Sequence, residues 1–148
     1  MSASTFVDTN ILIYAHDSDA GRKYEIAGRL LRDLWGQRDG VLSLQVLQEF
    51  YVNVTRKIAK PLPKGSARAV VDSYRAWCVD TTAAEILAAF RIEDEAGIGF
   101  WDALIVAAAC KAGAARIVSE DLNAGQIIAG VRIENPFFTT SSGLTVVG

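Results

Sequence analysis

Histidine is almost missing from this 148-residue chain: His16 is the only one. A single imidazole excludes a His-rich zinc site, and it excludes two histidines sharing acid and base duties within one chain. Cysteine is scarce as well. Cys78 and Cys110 lie far apart in apolar surroundings, which excludes a dense disulfide framework and reads as two buried free thiols. No apolar run reaches the roughly 20 residues of a membrane-spanning helix. The longest, Ala103 to Cys110, is closed by Asp102 and Lys111. Met1-Ser2-Ala3-Ser4 has neither the basic nor the apolar region of a secretory signal. Internal repeats and low-complexity segments are also lacking. The expectation is a cytoplasmic protein with no membrane association.

Apolar residues make up 51% of the chain and charged residues 22%, a balance that argues for a compact fold rather than disorder. The length suits one domain with one sizeable core. That domain is placed at residues 1–138, and the Ser/Thr/Gly-rich stretch 139–148 reads as a flexible tail. Net charge is −2 but unevenly spread: residues 1–75 hold 11 Lys/Arg against 8 Asp/Glu, and residues 76–148 hold 4 against 9. The basic excess gathers at Arg56, Lys57, Lys60, Lys64, Arg68 and Arg75. A solvated pair of helices explains such a run, and so does a surface for nucleic-acid phosphates.

Thr5-Phe6-Val7 reads as a short buried strand, and Ile11 to Ala15 fits either strand or helix. Ile26, Leu30, Leu31, Leu34 and Trp35 recur at helical spacing within residues 20–37. Val41-Leu42 reads as strand. Ser43 is a good cap for a helix that puts Leu47, Phe50, Tyr51 and Val54 on one face and Glu49 with Asn53 on another. Pro61 and Pro63 break it. Ser66 is expected to cap the next helix, with Val70, Val71, Tyr74 and Trp77 apolar. Thr82 caps one that carries Ile86, Leu87 and Phe90. A last helix runs from about Trp101 to Ala112 and ends at Gly113 as a left-handed cap, followed by strands at Arg116–Ser119 and Val131–Ile133. Strands alternating with helices predict an α/β fold with a parallel sheet.

Four acids stand where these elements begin or end: Asp8 after the first strand, Asp121 after the strand at Arg116–Ser119, Asp102 at a helix start, and Glu49 off its helix's apolar stripe. In open parallel sheets functional groups collect beyond the carboxyl ends of the strands. Two carboxylates about 4 Å apart repel by about 4 kcal/mol at an effective dielectric of about 20. They must therefore stay partly protonated or share a cation. Mg²⁺ and Mn²⁺ prefer oxygen ligands and can acidify a water that attacks a phosphodiester. In-line attack with departure of the 3′ oxygen leaves 3′-hydroxyl and 5′-phosphate ends. Taken singly, each acid has a plainer reading: Asp8 a turn or cap residue, Asp102 a helix-start charge, Glu49 a solvated face, and Asp121 the cap of a short helix over residues 122–128. Asn10, Asn53 and Ser119 read as local hydrogen-bonders, and His16 as a surface residue. The joint pattern carries the argument.

That pattern resembles a known family. Phe6-Val7-Asp8-Thr9-Asn10-Ile11-Leu12 looks like the opening motif of PIN-domain ribonucleases, and Leu47-Gln48-Glu49-Phe50-Tyr51 resembles their second acidic motif. The run from Phe100 through Trp101-Asp102-Ala103-Leu104-Ile105 to Ala109 closely resembles the third, and Ser119-Glu120-Asp121-Leu122 the fourth. Order and spacing agree over about residues 5–138, and the Trp-Asp-Ala-Leu-Ile run looks most like the VapC toxins of VapBC toxin–antitoxin pairs. The resemblance implies a PIN-like three-layer α/β/α sandwich with a central, mainly parallel sheet. It implies a Mg²⁺-dependent endoribonuclease, with Mn²⁺ as a substitute. Asp8 and Asp102 would be the metal ligands, Glu49 and Asp121 would complete the catalytic set, and Asn10 and Ser119 would support it. Arg56, Lys57, Lys60, Lys64 and Arg68 become candidates for contact with RNA. A homodimer and a VapB-like antitoxin partner are implied too, with Ile11, Tyr14, Leu30 and Leu34 as a candidate groove for an amphipathic helix, or as plain core. The chain departs from the family at Asn123 and Gly125, where many relatives carry a further Asp and an aromatic, and this puts a second metal in doubt. Competing readings are a housekeeping or catalytically silent PIN-like RNA-binding module, a haloacid-dehalogenase-type phosphatase and a receiver domain. The phosphatase needs a second Asp where this chain has Asn10. The receiver needs a paired acid and a suitably placed lysine.

Overall fold

The computed structural model describes residues 4–138; the tail read at 139–148 lies outside the described residues. Five strands, β1 (Ser4–Val7), β2 (Gly40–Val41), β3 (Ala114–Val118), β4 (Ile127–Ile128) and β5 (Val131–Glu134), form one sheet in the order β2-β1-β3-β5-β4. All neighbours are parallel except β4 and β5. The connecting helices are α1 (Thr9–Tyr14), α2 (Arg22–Gln37), α3 (Leu44–Arg56), α4 (Lys64–Tyr74), α5 (Ala83–Ala96) and α6 (Phe100–Lys111). Successive strand residues face opposite sides of a sheet, yet Thr5, Phe6 and Val7 are all buried, so both faces are covered at β1. This is the three-layer sandwich with a mainly parallel sheet that the sequence led us to expect.

Local chemistry accounts for the element boundaries. Asp8 accepts the Thr9 amide and caps α1, which settles the ambiguous run from Ile11 as helix. Ser43 caps α3 through the Val46 amide. Thr82 and Glu85 form a reciprocal capping box that opens α5. The helix α6 is apolar on every side, and it is accordingly buried from Ile105 through Ala109.

Several expectations fail, each for a physical reason. Ser66 is not a cap. α4 already starts at Lys64, with Pro63 in extended conformation at the cap position. No helix follows Asp121, because the chain turns into the β4–β5 hairpin. Ala129 and Gly130 have φ of 51° and 82°, the paired positive values that a tight two-residue hairpin of the primed type requires. His16 is half-buried rather than freely exposed. Its ring packs against Phe50 and Tyr74, burial lowers its pKa, and Nδ1 lies 2.9 Å from the Leu12 carbonyl. Cys78 is only half-buried and Cys110 is exposed. Of the two readings of Ile11, Leu30 and Leu34, plain core holds and the groove does not. The sequence does not assign the burial of α5: its buried positions are Glu85, Ala89 and Ile92, and Ile86, Leu87 and Phe90 face outward.

Among the described glycines, Gly40 at the β2 edge has the tightest surroundings. A Cβ on Gly40 would sit 2.6 Å from the Trp77 indole, which is itself held by Trp35 (ring centroids 4.6 Å apart) and Tyr74. Gly40→Ala should therefore destabilise the fold by about 1–3 kcal/mol through overpacking. Urea unfolding followed by tryptophan fluorescence measures this, and an unchanged midpoint would show that the Trp77 ring yields freely.

Candidate active site

The register of β1 on β3 decides where the acids meet. Val7 pairs with Val118, so the two strands end together and present Asp8 and Ser119 side by side. Both backbones remain tied to the sheet one residue further: the Asp8 N–H donates to Val118 O (3.1 Å) and the Ser119 N–H to Glu134 O (3.0 Å). The Ser119 hydroxyl then donates to Asp8 Oδ2 at 2.7 Å, while Asp8 Oδ1 accepts the Thr9 amide at 2.7 Å. Asp8 is only 5% exposed. Burial pushes its carboxyl up to about 6, against the two hydrogen bonds that favour the charged form and with added repulsion from Asp121 and Asp102.

The other acids approach from three further elements. Asp102 lies in the first turn of α6 and is half-buried. Its carboxyl is raised by burial and then by the charges of Asp121 and Glu49. Glu49, on α3, accepts the Thr9 hydroxyl at 2.6 Å and, more distantly, the Gln45 amide at 3.5 Å. Asp121 is exposed, with its backbone N–H donating to Ser119 Oγ at 3.1 Å. Asn10 ties the group together: Nδ2 donates to Asp121 Oδ2 (3.0 Å) and faces Asp8 Oδ2 (3.4 Å), and Oδ1 accepts the Glu120 amide (3.1 Å). The four acids and both supporting residues thus come to one edge of the sheet, at the carboxyl ends of β1 and β3.

A cleft of about 530 Å³ opens beside this edge, walled by Thr9, Asn10, Glu49, Asn53, Lys57 and Asp121 among others. Asp8, beneath the surface, and Asp102 are not part of its walls. Of the basic candidates only Lys57 lines it. Lys60 pairs with Asp19 at 3.5 Å. Arg68 lies over the Tyr51 ring, beside a separate apolar groove between α3 and α4. Arg56 and Lys64 are exposed away from the cleft walls. Asn53 bonds its own helix, through the Glu49 carbonyl at 2.7 Å, as its plainer reading held. Thr9 and Glu120 escaped the sequence reading. Thr9 was hidden inside ordinary turn chemistry, although it is buried and directly holds Glu49. Glu120 bonds Tyr14 and Lys23; against burial, those contacts and the lysine charge hold its carboxyl below the ordinary range.

The donor set fits a hard cation. All four acids offer oxygen; Asp121 and Asp102 add to the cost of ionising Asp8, and Asp121 and Glu49 to that of ionising Asp102, costs that a shared cation would relieve. Among the described residues no three His, Cys, Asp or Glu side chains close into a cage.

Fold and site together define a small α/β domain with an acidic cluster at the carboxyl edge of a parallel sheet. The family model for the PIN domain matches residues 5–127, and the chain belongs to the PIN domain family. No curated protein sequence matches the chain. Among solved structures it is similar to the Rickettsia felis VapBC2 complex bound to a promoter DNA fragment (21% identity, TM-score 0.59), with 88% of this chain and 97% of that one covered. It is similar to Mycobacterium tuberculosis VapC20, a sarcin-ricin loop cleaving toxin, at 21% identity and TM-score 0.59, with 80% and 90% covered. DNA-bound VapBC from Salmonella typhimurium matches at 21% and 0.59, with 90% and 98% covered.

The raised Asp8 carboxyl carries a stability consequence whose sign is definite. Its folded pKa of about 6 exceeds the ordinary 3.8, so the fold favours the neutral form. The stabilisation is complete below about pH 4 and lost as pH rises through about 6, amounting to about 3 kcal/mol. In EDTA, Asp8→Asn should melt higher than wild type at pH 7.5, and the gap should shrink toward pH 4. A gap that is constant with pH, or of opposite sign, would contradict the burial of a strained carboxylate.

Proposed function

We propose that this chain is a divalent-cation-dependent endoribonuclease of the VapC toxin type, restrained in its cell by a VapB-like antitoxin. The observation that carries the reading is the meeting of Asp8, Glu49, Asp102 and Asp121 at one sheet edge, within a PIN domain, with the Asp8 and Asp102 carboxyls both raised. The solved relatives support it: two are VapBC complexes and one is a toxin that cleaves the sarcin-ricin loop. Asp8 and Asp102 are the residues to hold Mg²⁺, or Mn²⁺ in its place. Bound there, the ion would supply a Lewis acid for the phosphodiester and lower the pKa of a water. Ser119 and the Thr9 amide orient Asp8, the Thr9 hydroxyl aims Glu49, and Asn10 aims Asp121. Lys57 meets the substrate's phosphates at the cleft mouth and offsets their repulsion by the acids. The phosphatase alternative is weaker, because Asn10 stands where it needs an acid and has both ends of its amide engaged in holding the site.

A homodimer is part of the proposal. Leu44, Ile86 and Trp101 line a shallow hollow, Trp101 is 65% exposed, and Phe90 extends the apolar surface through its ring contact with Phe100. An apolar surface of this kind is characteristic of interaction sites. The antitoxin is proposed to reach the acidic cleft with a basic side chain that offsets the charge of the four acids when the cation is absent.

Purified protein should cut structured RNA with Mg²⁺ or Mn²⁺ and lose activity in EDTA, and Asp102→Asn should abolish cleavage. Cleavage unaffected by EDTA, or full activity in Asp102→Asn, would reject the mechanism. Lys57→Ala should weaken RNA binding and lower the slope of log affinity against log salt by about one, whereas Lys64→Ala should leave the slope alone. Equal effects of the two would return the basic residues to a general surface charge. Co-expression with the product of the adjoining gene should give a complex without nuclease activity. A chain that cuts RNA yet is harmless when expressed alone and binds no such product is a housekeeping nuclease.

A further inference from the structure

Asp121 lies in a turn outside any helix or strand, so its carboxylate is only as well placed as that turn. One side of the turn is held by Asn10 and Ser119, as described above. The other side is held through Glu120. Its Oε1 accepts the Tyr14 hydroxyl at 2.5 Å, and its Oε2 pairs with the Lys23 ammonium. Tyr14 is the last residue of α1 and Lys23 the second of α2, so two helices grip one side chain. The Lys23 ammonium also lies over the Tyr14 and Phe137 rings, 5.0 and 5.5 Å from their centroids, and those rings meet edge-on at 5.4 Å. Phe137, beyond β5, thereby braces the assembly from the C-terminal side. With both oxygens engaged, Glu120 is not a fifth acid of the cation site, although it sits between Ser119 and Asp121.

We propose that Tyr14, Lys23 and Glu120 form a positioning clamp that fixes the turn bearing Asp121, and that the clamp sets how tightly the acidic site holds a divalent cation. This rests on reading the four acids as a cation site in which Asp121 faces the ion that Asp8 and Asp102 hold. An ion pair as exposed as Lys23–Glu120 contributes little to global stability, so its consequence lies in geometry. Groups that orient metal ligands typically change metal affinity by about 10–100-fold when removed.

The sign of the effect separates the clamp from simple charge. Taking a positive charge away from an acidic site should tighten cation binding by Coulomb's law; loosening the clamp should weaken it. The test is calorimetric Mn²⁺ titration of the full chain for wild type, Tyr14→Phe, Lys23→Met and Lys23→Arg, with melting temperatures in EDTA alongside. Tyr14→Phe and Lys23→Met are expected to weaken Mn²⁺ binding about tenfold, with melting temperatures close to wild type, and Lys23→Arg to keep most of the affinity. Mn²⁺ affinity that is unchanged or tighter in both Tyr14→Phe and Lys23→Met overturns the clamp. So does a loss of affinity that appears only together with a matching fall in melting temperature. Wild type that binds no Mn²⁺ overturns the clamp and the cation site together. Mn²⁺ binding without any RNA cleavage faults the ribonuclease reading alone.

Discussion

The carboxyl group of Asp8 is almost withdrawn from water, and the arrangement at that edge of the sheet follows from this. A buried carboxylate is tolerated only if its oxygens are hydrogen-bonded or its charge is removed. Ser119 and the Thr9 amide supply the bonds, one to each oxygen. They are available because β1 and β3 are parallel, in register at Val7 and Val118, and terminate together. A one-residue slip would turn Asp8 to the other face and separate it from Ser119. Two hydrogen bonds do not fully offset the burial, and the neighbouring acids add to the deficit, so the carboxyl stays far above its ordinary value. The fold accepts an unfavourable group at the place where a cation would make it favourable.

The surrounding acids are graded rather than equivalent. Asp8 is buried, Asp102 and Glu49 are half-buried, and Asp121 is exposed. Three of the four are aimed by neutral donors: Asp8 by Ser119 and the Thr9 amide, Glu49 by the Thr9 hydroxyl, Asp121 by Asn10. The consecutive residues Asp8, Thr9 and Asn10 therefore tie together β1, α3 and the turn after β3. Because α1 begins there, capped by Asp8 itself, the strand-to-helix junction that builds the core also orders the site. Neutral donors preserve the net negative charge of the cluster, which a cation site needs and which a lysine or arginine in the same place would cancel.

The sheet, the positions of β1, β3 and β5, and the acids at their ends were legible from short apolar runs followed by Asp or Ser. Asp102 was legible from its place before a long apolar run, and Glu49 from its position off the stripe formed by Leu47, Phe50 and Val54. What escaped was orientation across the fold. The basic residues 56–68 look continuous in sequence. Yet α3 ends at Arg56 and the chain turns before α4, so Lys57 faces the cleft, Lys60 meets Asp19 and Arg68 lies over Tyr51. Ile86, Leu87 and Phe90 are the larger apolar residues of α5, but it buries Glu85, Ala89 and Ile92 instead, a choice of face that residue type alone does not fix. His16 was misplaced because its partners, Phe50 and Tyr74, are remote in sequence. The short helix considered after Asp121 gave way to a hairpin whose positive-φ pair, Ala129 and Gly130, has no strong signature at its first position.

The central claim is that Asp8 is held at this edge in a state that a divalent cation relieves. Carbon-13 NMR of the aspartate carboxyls, titrated from pH 3 to pH 8 with Asp8→Asn as the assignment control, measures this directly. Without divalent ions Asp8 should titrate near pH 6. With saturating Mg²⁺ its midpoint should fall well below that value, because the ion stabilises the charged form. An Asp8 carboxyl that titrates near 4 in the absence of metal, or one whose midpoint is indifferent to Mg²⁺, would contradict the account.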